Sequence, residues 1–164
     1  MKILNDKQIA QKITRIAVQI LENNFDAPEI LLAGLNNNGY EMARLIAENL
    51  RQRTTITIHL TRLKLNSQSP TEYPITLEYP IANLHNKVII LVDDVANSGR
   101  AIFYAVKPLL DVLPKKVEVA VLVDRKHKSF PIQPDYVGLS LATTRQENIE
   151  VQLLGVEEKA VYLN

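Results

Sequence analysis

Two adjacent acids, Asp93 and Asp94, close a nearly unbroken apolar run, Lys87 to Asp93 (KVIILVD). Four residues after Asp94 comes Ser98-Gly99-Arg100, where helical spacing begins. Consecutive free amides at a helix start, with the positive end of the helix dipole, form a site for a phosphate. Gly99 lets the backbone approach such a group closely, and Ser98 adds a hydroxyl. Two carboxylates beside a phosphate would ordinarily repel it. They fit a phosphorylated sugar, whose hydroxyls donate to the acids while the amides hold the phosphate. The competing reading is a plain strand–turn–helix junction with solvated acids, and the residues alone leave both open.

The elements that must position these groups follow from periodicity. Ile9, Ile13, Ile16, Ala17, Ile20 and Leu21 recur at helical steps behind a cap at Asn5 or Asp6. Glu29 to Ala33 is a short buried strand ending at Gly34, and helical spacing returns after Gly39 with Met42, Leu45, Ile46 and Leu50. Thr55 to Leu60 alternates as a strand. Residues 61–86 hold Pro70, Pro74 and Pro80 and read as a long excursion with a hairpin around Ile75–Tyr79. Lys87 to Asp93 has the unbroken apolarity of a central parallel strand. A helix runs from about Gly99 to Val112, with Pro108 predicting a kink or an early stop. Val117 to Val123 is another strand, followed by a basic loop over Asp124 to Asp135 and short strands at Tyr136–Ala142, Ile149–Leu154 and Ala160–Leu163. This alternation predicts an α/β fold: an open, mainly parallel, five-stranded sheet with helices on both faces, plus a small hood or flexible-loop excursion, in one domain over 1–164. Such sheets bind ligands beyond the carboxyl ends of their strands. That singles out the loops after Glu29–Ala33, Lys87–Asp93 and Val117–Val123.

Composition narrows the class. Nineteen basic residues stand against eighteen acids in 164, so bulk charge cannot grip nucleic acid, although a local patch such as Lys115, Lys116, Arg125, Lys126 and Lys128 can touch phosphates. A solvated face is the plainer reading of that cluster. No cysteine is present, which excludes disulfides and thiolate catalysis. His59, His85 and His127 lack zinc-ligand spacing. No apolar stretch approaches the roughly 20 residues of a membrane span, and the first residues lack the block order of a secretory signal. A soluble cytoplasmic protein without a membrane partner is the expectation.

The run V-I-I-L-V-D-D-V-A-N-S-G-R-A resembles the signature of type I phosphoribosyltransferases: apolar strand, two acids, three variable residues, Ser or Thr, Gly, any residue, Thr. Ala101 stands where the family usually has threonine. The likeness extends to the branch of pyrimidine operon regulators that are also uracil phosphoribosyltransferases. It is carried by Thr14-Arg15-Ile16-Ala17, by Gly34-Leu35-Asn36-Asn37-Asn38-Gly39 against G-x-x-x-R-G, by Val123-Asp124-Arg125-Lys126-His127-Lys128-Ser129-Phe130-Pro131-Ile132 against V-D-R-G-H-R-x-x-P-I, and by Asp135-Tyr136-Val137-Gly138.

The resemblance implies transfer of ribose 5-phosphate from phosphoribosyl diphosphate to a nucleobase, uracil giving UMP, with Mg2+ as cofactor and pyrophosphate as leaving group. By the same resemblance Asp93 and Asp94 orient the ribose, partly through metal-bound water, and Ala96, Asn97, Ser98, Gly99, Arg100 and Ala101 wrap the 5′-phosphate. Asn36, Asn37, Asn38 and Gly39 hold pyrophosphate through backbone amides, with Arg62 clamping it and the excursion acting as a lid. Asp124, Arg125 and His127 lie near the base, and a homodimer or higher homo-oligomer is implied. Without the family, Asn36–Asn38 also reads as a plain turn of residues that tolerate positive φ, and a lone His127 reads as structural. Asn38 replaces the family's arginine, so weaker diphosphate binding or a different donor is expected. After Arg62 the family has two acids, and this chain has Leu63 and Lys64. Val18 replaces a histidine, and the basic positions after the D-R-G-H segment are here Lys128, Gln133 and Leu139. The alternatives are therefore a nucleotide-sensing, RNA-binding regulator with weak or no catalysis, or a degenerate binding module.

Overall fold

The computed structural model spans residues 1–164. Strand β1 (Lys2–Leu4) leads into helix α1 (Asp6–Asn23), which starts where a reciprocal cap satisfies two orphan amides. The Gln8 amide donates to Asn5 Oδ1 and the Asn5 amide donates to Gln8 Oε1, each at 2.9 Å. The chain continues through β2 (Glu29–Leu35), α2 (Asn36–Arg53), β3 (Thr57–Lys64) and β4 (Thr76–Leu77). Then come β5 (Val88–Ala96), α3 (Arg100–Ala105), β6 (Lys116–Arg125), β7 (Tyr136–Leu141), β8 (Ile149–Gln152) and β9 (Ala160–Leu163).

The main sheet has the order β4-β3-β2-β5-β6-β7. Its five strands β3, β2, β5, β6 and β7 are parallel, and β4 is an antiparallel addition at the edge. Side chains alternate across it. Ile30, Leu32, Val88 and Ile90 face α1 and α2 in one core, while Leu31, Ala33, Ile89 and Leu91 face Ile102 and Leu109 in a second. The first holds 26 buried residues against 14, because α3 is short and a 3-10 turn (Lys107–Asp111) completes its side. Pro108 lies in that turn, so the expected helix to Val112 takes its early stop.

The excursion is smaller than 61–86. Residues 61–64 continue β3, and Thr76–Leu77 pairs back on Leu63–Lys64 as the hairpin. A 3-10 turn at Ile81–Leu84 then drives Leu84 into the second core. A separate antiparallel sheet, β1-β9-β8, forms the hood. Its first strand escapes periodicity because three residues show no alternation.

One buried polar knot pins α1 to the amino-terminal ends of β6 and β7. Tyr136 Oη donates to Glu118 at 2.9 Å, and Asn24 Nδ2 donates to Glu118 Oε1 at 2.9 Å. Burial first, then the Glu118 carboxylate, pushes the Tyr136 hydroxyl above its usual range, so it stays a donor. Tyr136→Phe is expected to cost about 1–3 kcal/mol in urea denaturation, because Glu118 keeps its burial but loses a donor.

Candidate functional site

In the main sheet the chain moves outward from β2 to β3 and then returns to β5 on the other side of β2. The crevice between β2 and β5 is thus the topological switch point. A cavity of about 500 Å³ opens there. Its walls are the first turn of α2 (Asn36–Asn38), the end of β5 with Asp93 and Asp94, the connection Asn97–Gly99, the start of α3 and, from the hood, Ile149.

The two acids are held by the strand itself. The Asp94 amide donates to Asp93 Oδ1 and the Val95 amide to Asp94 Oδ1, each at 2.9 Å. Burial, then the neighbouring Asp94 charge, raises the Asp93 carboxyl well above the usual carboxylate range. Asp94 keeps a second oxygen, Oδ2, toward Asn38, whose Nδ2 lies 3.0 Å away.

The connection beyond the acids is tightly built. Gly99 has φ +87, a conformation that strains any side chain, and a Cβ there would also crowd Ile132 Cβ at 3.1 Å. The Arg100 amide donates to Ser98 Oγ at 3.3 Å. The Ser98 carbonyl accepts from the amides of Ser129 and Phe130, at 2.9 and 3.2 Å, which fastens Ala96–Ala101 to the loop after β6.

Residues 36–39, expected as a loop before the helix, are the first turn of α2. Asn36 sits at φ +55, a conformation that asparagine tolerates, and its Oδ1 accepts from the Leu65 amide at 3.1 Å. Helix geometry leaves the first backbone N–H groups without intrahelical partners, and the residues that carry them here, Asn36, Asn37 and Asn38, border the cavity.

Not every expected residue meets there. Arg62 lies over the Tyr40 ring at 4.2 Å and borders a neighbouring concavity of about 580 Å³ with Asn36, Asn37, Lys64 and Tyr73. Asp124, Arg125 and His127 lie beyond the other wall. Asp124 is paired with Lys128 at 2.6 Å. Arg125 donates to Thr143 Oγ1 (2.7 Å), to the Thr144 and Glu147 carbonyls (3.0 Å each) and to Asn97 Oδ1 (3.3 Å). His127 is exposed on a polar concavity of about 720 Å³ that shares Asn97 and Ser98 with the first. Arg125 thus ties β6 to residues 143–147 and to the cavity wall. Arg125→Ala is expected to lower stability by about 1–3 kcal/mol and to speed amide exchange over 143–148. Lysine should rescue little, since it lacks the planar fork.

Ser67 and Ile149 are additional neighbours of the first cavity that no motif announces, while Lys128, from the segment after β6, borders the second. Thr14 and Arg15 are engaged internally: Thr14 Oγ1 donates to Asn49 Oδ1 at 3.1 Å, and Arg15 donates to the Val137 and Gly138 carbonyls at 3.2 and 2.7 Å. Among the titratable and metal-ligating residues no group of three converges as a self-contained metal site. No helix is long and apolar enough to cross a membrane.

With this geometry in hand, comparison with known proteins settles the class. Residues 1–159 match the family described as "Phosphoribosyl transferase domain", and the chain belongs to that family. Within it, the chain is 34% identical over 166 residues to a protein of Acetivibrio thermocellus named "Bifunctional protein PyrR", covering 95% of this chain and 89% of the relative. A Bacillus pumilus protein of the same name is 33% identical over 165 residues, covering 95% and 92%. Among solved structures, the hypoxanthine phosphoribosyltransferase of Trypanosoma cruzi superimposes with a TM-score of 0.77 at 12% identity, over 98% of this chain and 94% of that one. A Staphylococcus aureus hypoxanthine phosphoribosyltransferase gives 0.74 at 14% identity, over 88% and 79%. These two share the fold: a mostly parallel central sheet flanked by helices.

Proposed function

We propose that the chain transfers ribose 5-phosphate from phosphoribosyl diphosphate to uracil, giving UMP and releasing pyrophosphate. The observation that carries this is one cavity at the switch point with two adjacent acids on one wall, the Ala96–Ala101 turn beside them and the open first turn of α2 opposite. Its size suits a sugar phosphate with its substituents.

The acids, both half-buried at the cavity wall, accept from the ribose hydroxyls. Ala96, Asn97, Ser98, Gly99, Arg100 and Ala101 surround the 5′-phosphate. Backbone amides of Asn36, Asn37, Asn38 and Gly39 face the diphosphate, and Arg62 with Lys64 supplies positive charge from the neighbouring concavity. Asp124, Arg125 and His127 border the base side, the first two by shaping the wall. Bond breaking at the anomeric carbon builds positive charge on the sugar, so orientation and electrostatics do most of the work.

The donor set suits Mg2+. Two carboxylates without a third ligand do not make a protein cage, but they match an ion that keeps water and shares substrate oxygens. Asp93 and Asp94 would hold it indirectly, and it would neutralise the departing diphosphate. The test is UMP formation from uracil and phosphoribosyl diphosphate with and without Mg2+, alongside hypoxanthine and guanine. Magnesium-dependent UMP is expected, and turnover of the purines alone would overturn the choice of base.

A second reading is a nucleotide-binding regulator that acts on RNA with little catalysis. It is favoured by the α2 turn, which has amides and no cation at Asn36–Asn38, and by relatives named bifunctional. Retained UMP binding without turnover, together with salt-sensitive RNA binding, would select it.

A further inference from the structure

The Asn38 side chain does not point its donors at open space. Its Nδ2 donates to Asp94 Oδ2 at 3.0 Å and to the Val151 carbonyl of β8 at 3.3 Å. One carboxamide therefore joins three elements: the first turn of α2, the acid at the end of β5 and the hood. The Asp94 carboxylate is fixed from both sides, by the Val95 amide on Oδ1 and by Asn38 on Oδ2. Asn38 can take this place because α2 lies close against β5. A Cβ at Gly39 would sit 2.7 Å from the Val92 carbonyl and 3.3 Å from Asp93 Oδ1.

We propose that Asn38 is a positioning residue for the ribose: it orients Asp94 toward the sugar hydroxyls and fastens the hood over them, and its side chain is not a ligand of the diphosphate. This rests on the reading of the cavity as a ribose-phosphate site. A carboxylate with a free χ2 torsion must lose rotational freedom when a hydroxyl docks, and a donor already on Oδ2 removes that loss beforehand. The same amide leaves the acid's remaining lone pairs available, since each carboxylate oxygen accepts more than one bond. A cationic side chain at position 38 would neutralise the acid, whereas a neutral amide preserves its charge for the sugar.

The proposal separates the ribose from the phosphate, and two nucleotides read that separation. Binding of UMP and of its 2′,3′-dideoxy analogue is measured by calorimetry for the full chain and for Asn38→Ala and Asn38→Leu. The dideoxy compound lacks the hydroxyls that Asp94 receives. Both variants are expected to weaken UMP about tenfold, as for loss of a charge-assisted hydrogen bond, and to leave the dideoxy affinity within twofold. In an Asp94→Ala background, Asn38→Ala is expected to have no further effect on UMP, because the two residues act as a unit. Equal losses for the two nucleotides would mean that Asn38 merely supports the fold, and this would overturn the proposal. So would UMP binding that neither variant changes. A wild-type chain that binds neither nucleotide would overturn the reading of the cavity itself, and the inference with it. A wild-type chain that binds both, with Asn38 variants inert, sinks the inference alone.

Discussion

Gly34→Ala is expected to lower the thermal midpoint by roughly 6–12 °C, from a loss of about 3 kcal/mol in a chain of this size. A Cβ at position 34 would lie 2.3 Å from Tyr40 Cα and 2.5 Å from both the Tyr40 nitrogen and the Gly39 carbonyl oxygen. All three are backbone atoms of α2, which cannot rotate aside as a side chain does. The helix would have to lift from β2, although Met42, Ala43, Ile46, Ala47 and Leu50 are wholly buried beneath it. Lifting it opens contacts to β2, β3 and β5 together. The Tyr40 ring under Arg62 would move with it. Gly155→Ala is the control. It has φ +68 but nothing within 4 Å, so it should lose only about 1 kcal/mol, the ordinary cost of a left-handed alanine. Circular-dichroism melts of the two variants check this, and equal melts would show that the close approach at Gly34 carries no strain.

The second large effect is on binding. Asp94→Asn should weaken UMP by more than about tenfold in calorimetry while the melting temperature stays near that of the parent. The substitution keeps shape but removes the charge that strengthens a hydroxyl's hydrogen bond. It also sets a carboxamide against the carboxamide of Asn38. One of the two must then turn its oxygen to the other's nitrogen. If Asn38 turns, its donation to Val151 is lost, and if the new carboxamide at position 94 turns, its oxygen leaves the Val95 amide. Either way the sugar meets a differently oriented group. A dissociation constant equal to that of the parent would remove Asp94 from the site.

Much of this was legible in the residues because the decisive features are local. Val88–Val92 is apolar at every position, as a strand covered on both faces must be, and the sharp change to Asp93-Asp94 marks its carboxyl end. Ser98-Gly99 marks the turn because only glycine takes φ +87 without strain. What stayed illegible depends on distant partners. Asparagines at 36–38 favour turns by themselves, yet they begin a helix because Gly34 and Gly39 let α2 settle onto β2 and β5. Arg125 looks like a ligand for a base. Its donors instead go to Asn97, Thr143, Thr144 and Glu147, in a segment with no periodic pattern to place it. The hood strand β8 is only four residues long, so nothing in its spelling announces that Ile149 reaches the cavity.

Arg15 carries a further consequence. Strand β7 is the last in the main sheet and has no strand beyond it, so its main chain is open to recruitment by another polypeptide. The guanidinium of Arg15 already occupies the carbonyls of Val137 and Gly138. Carbonyls alternate in direction along a strand, so one of these two is an acceptor that an incoming strand would need, and the Arg15 cation already holds it. The first helix thus guards the molecule against intermolecular β-association along this margin.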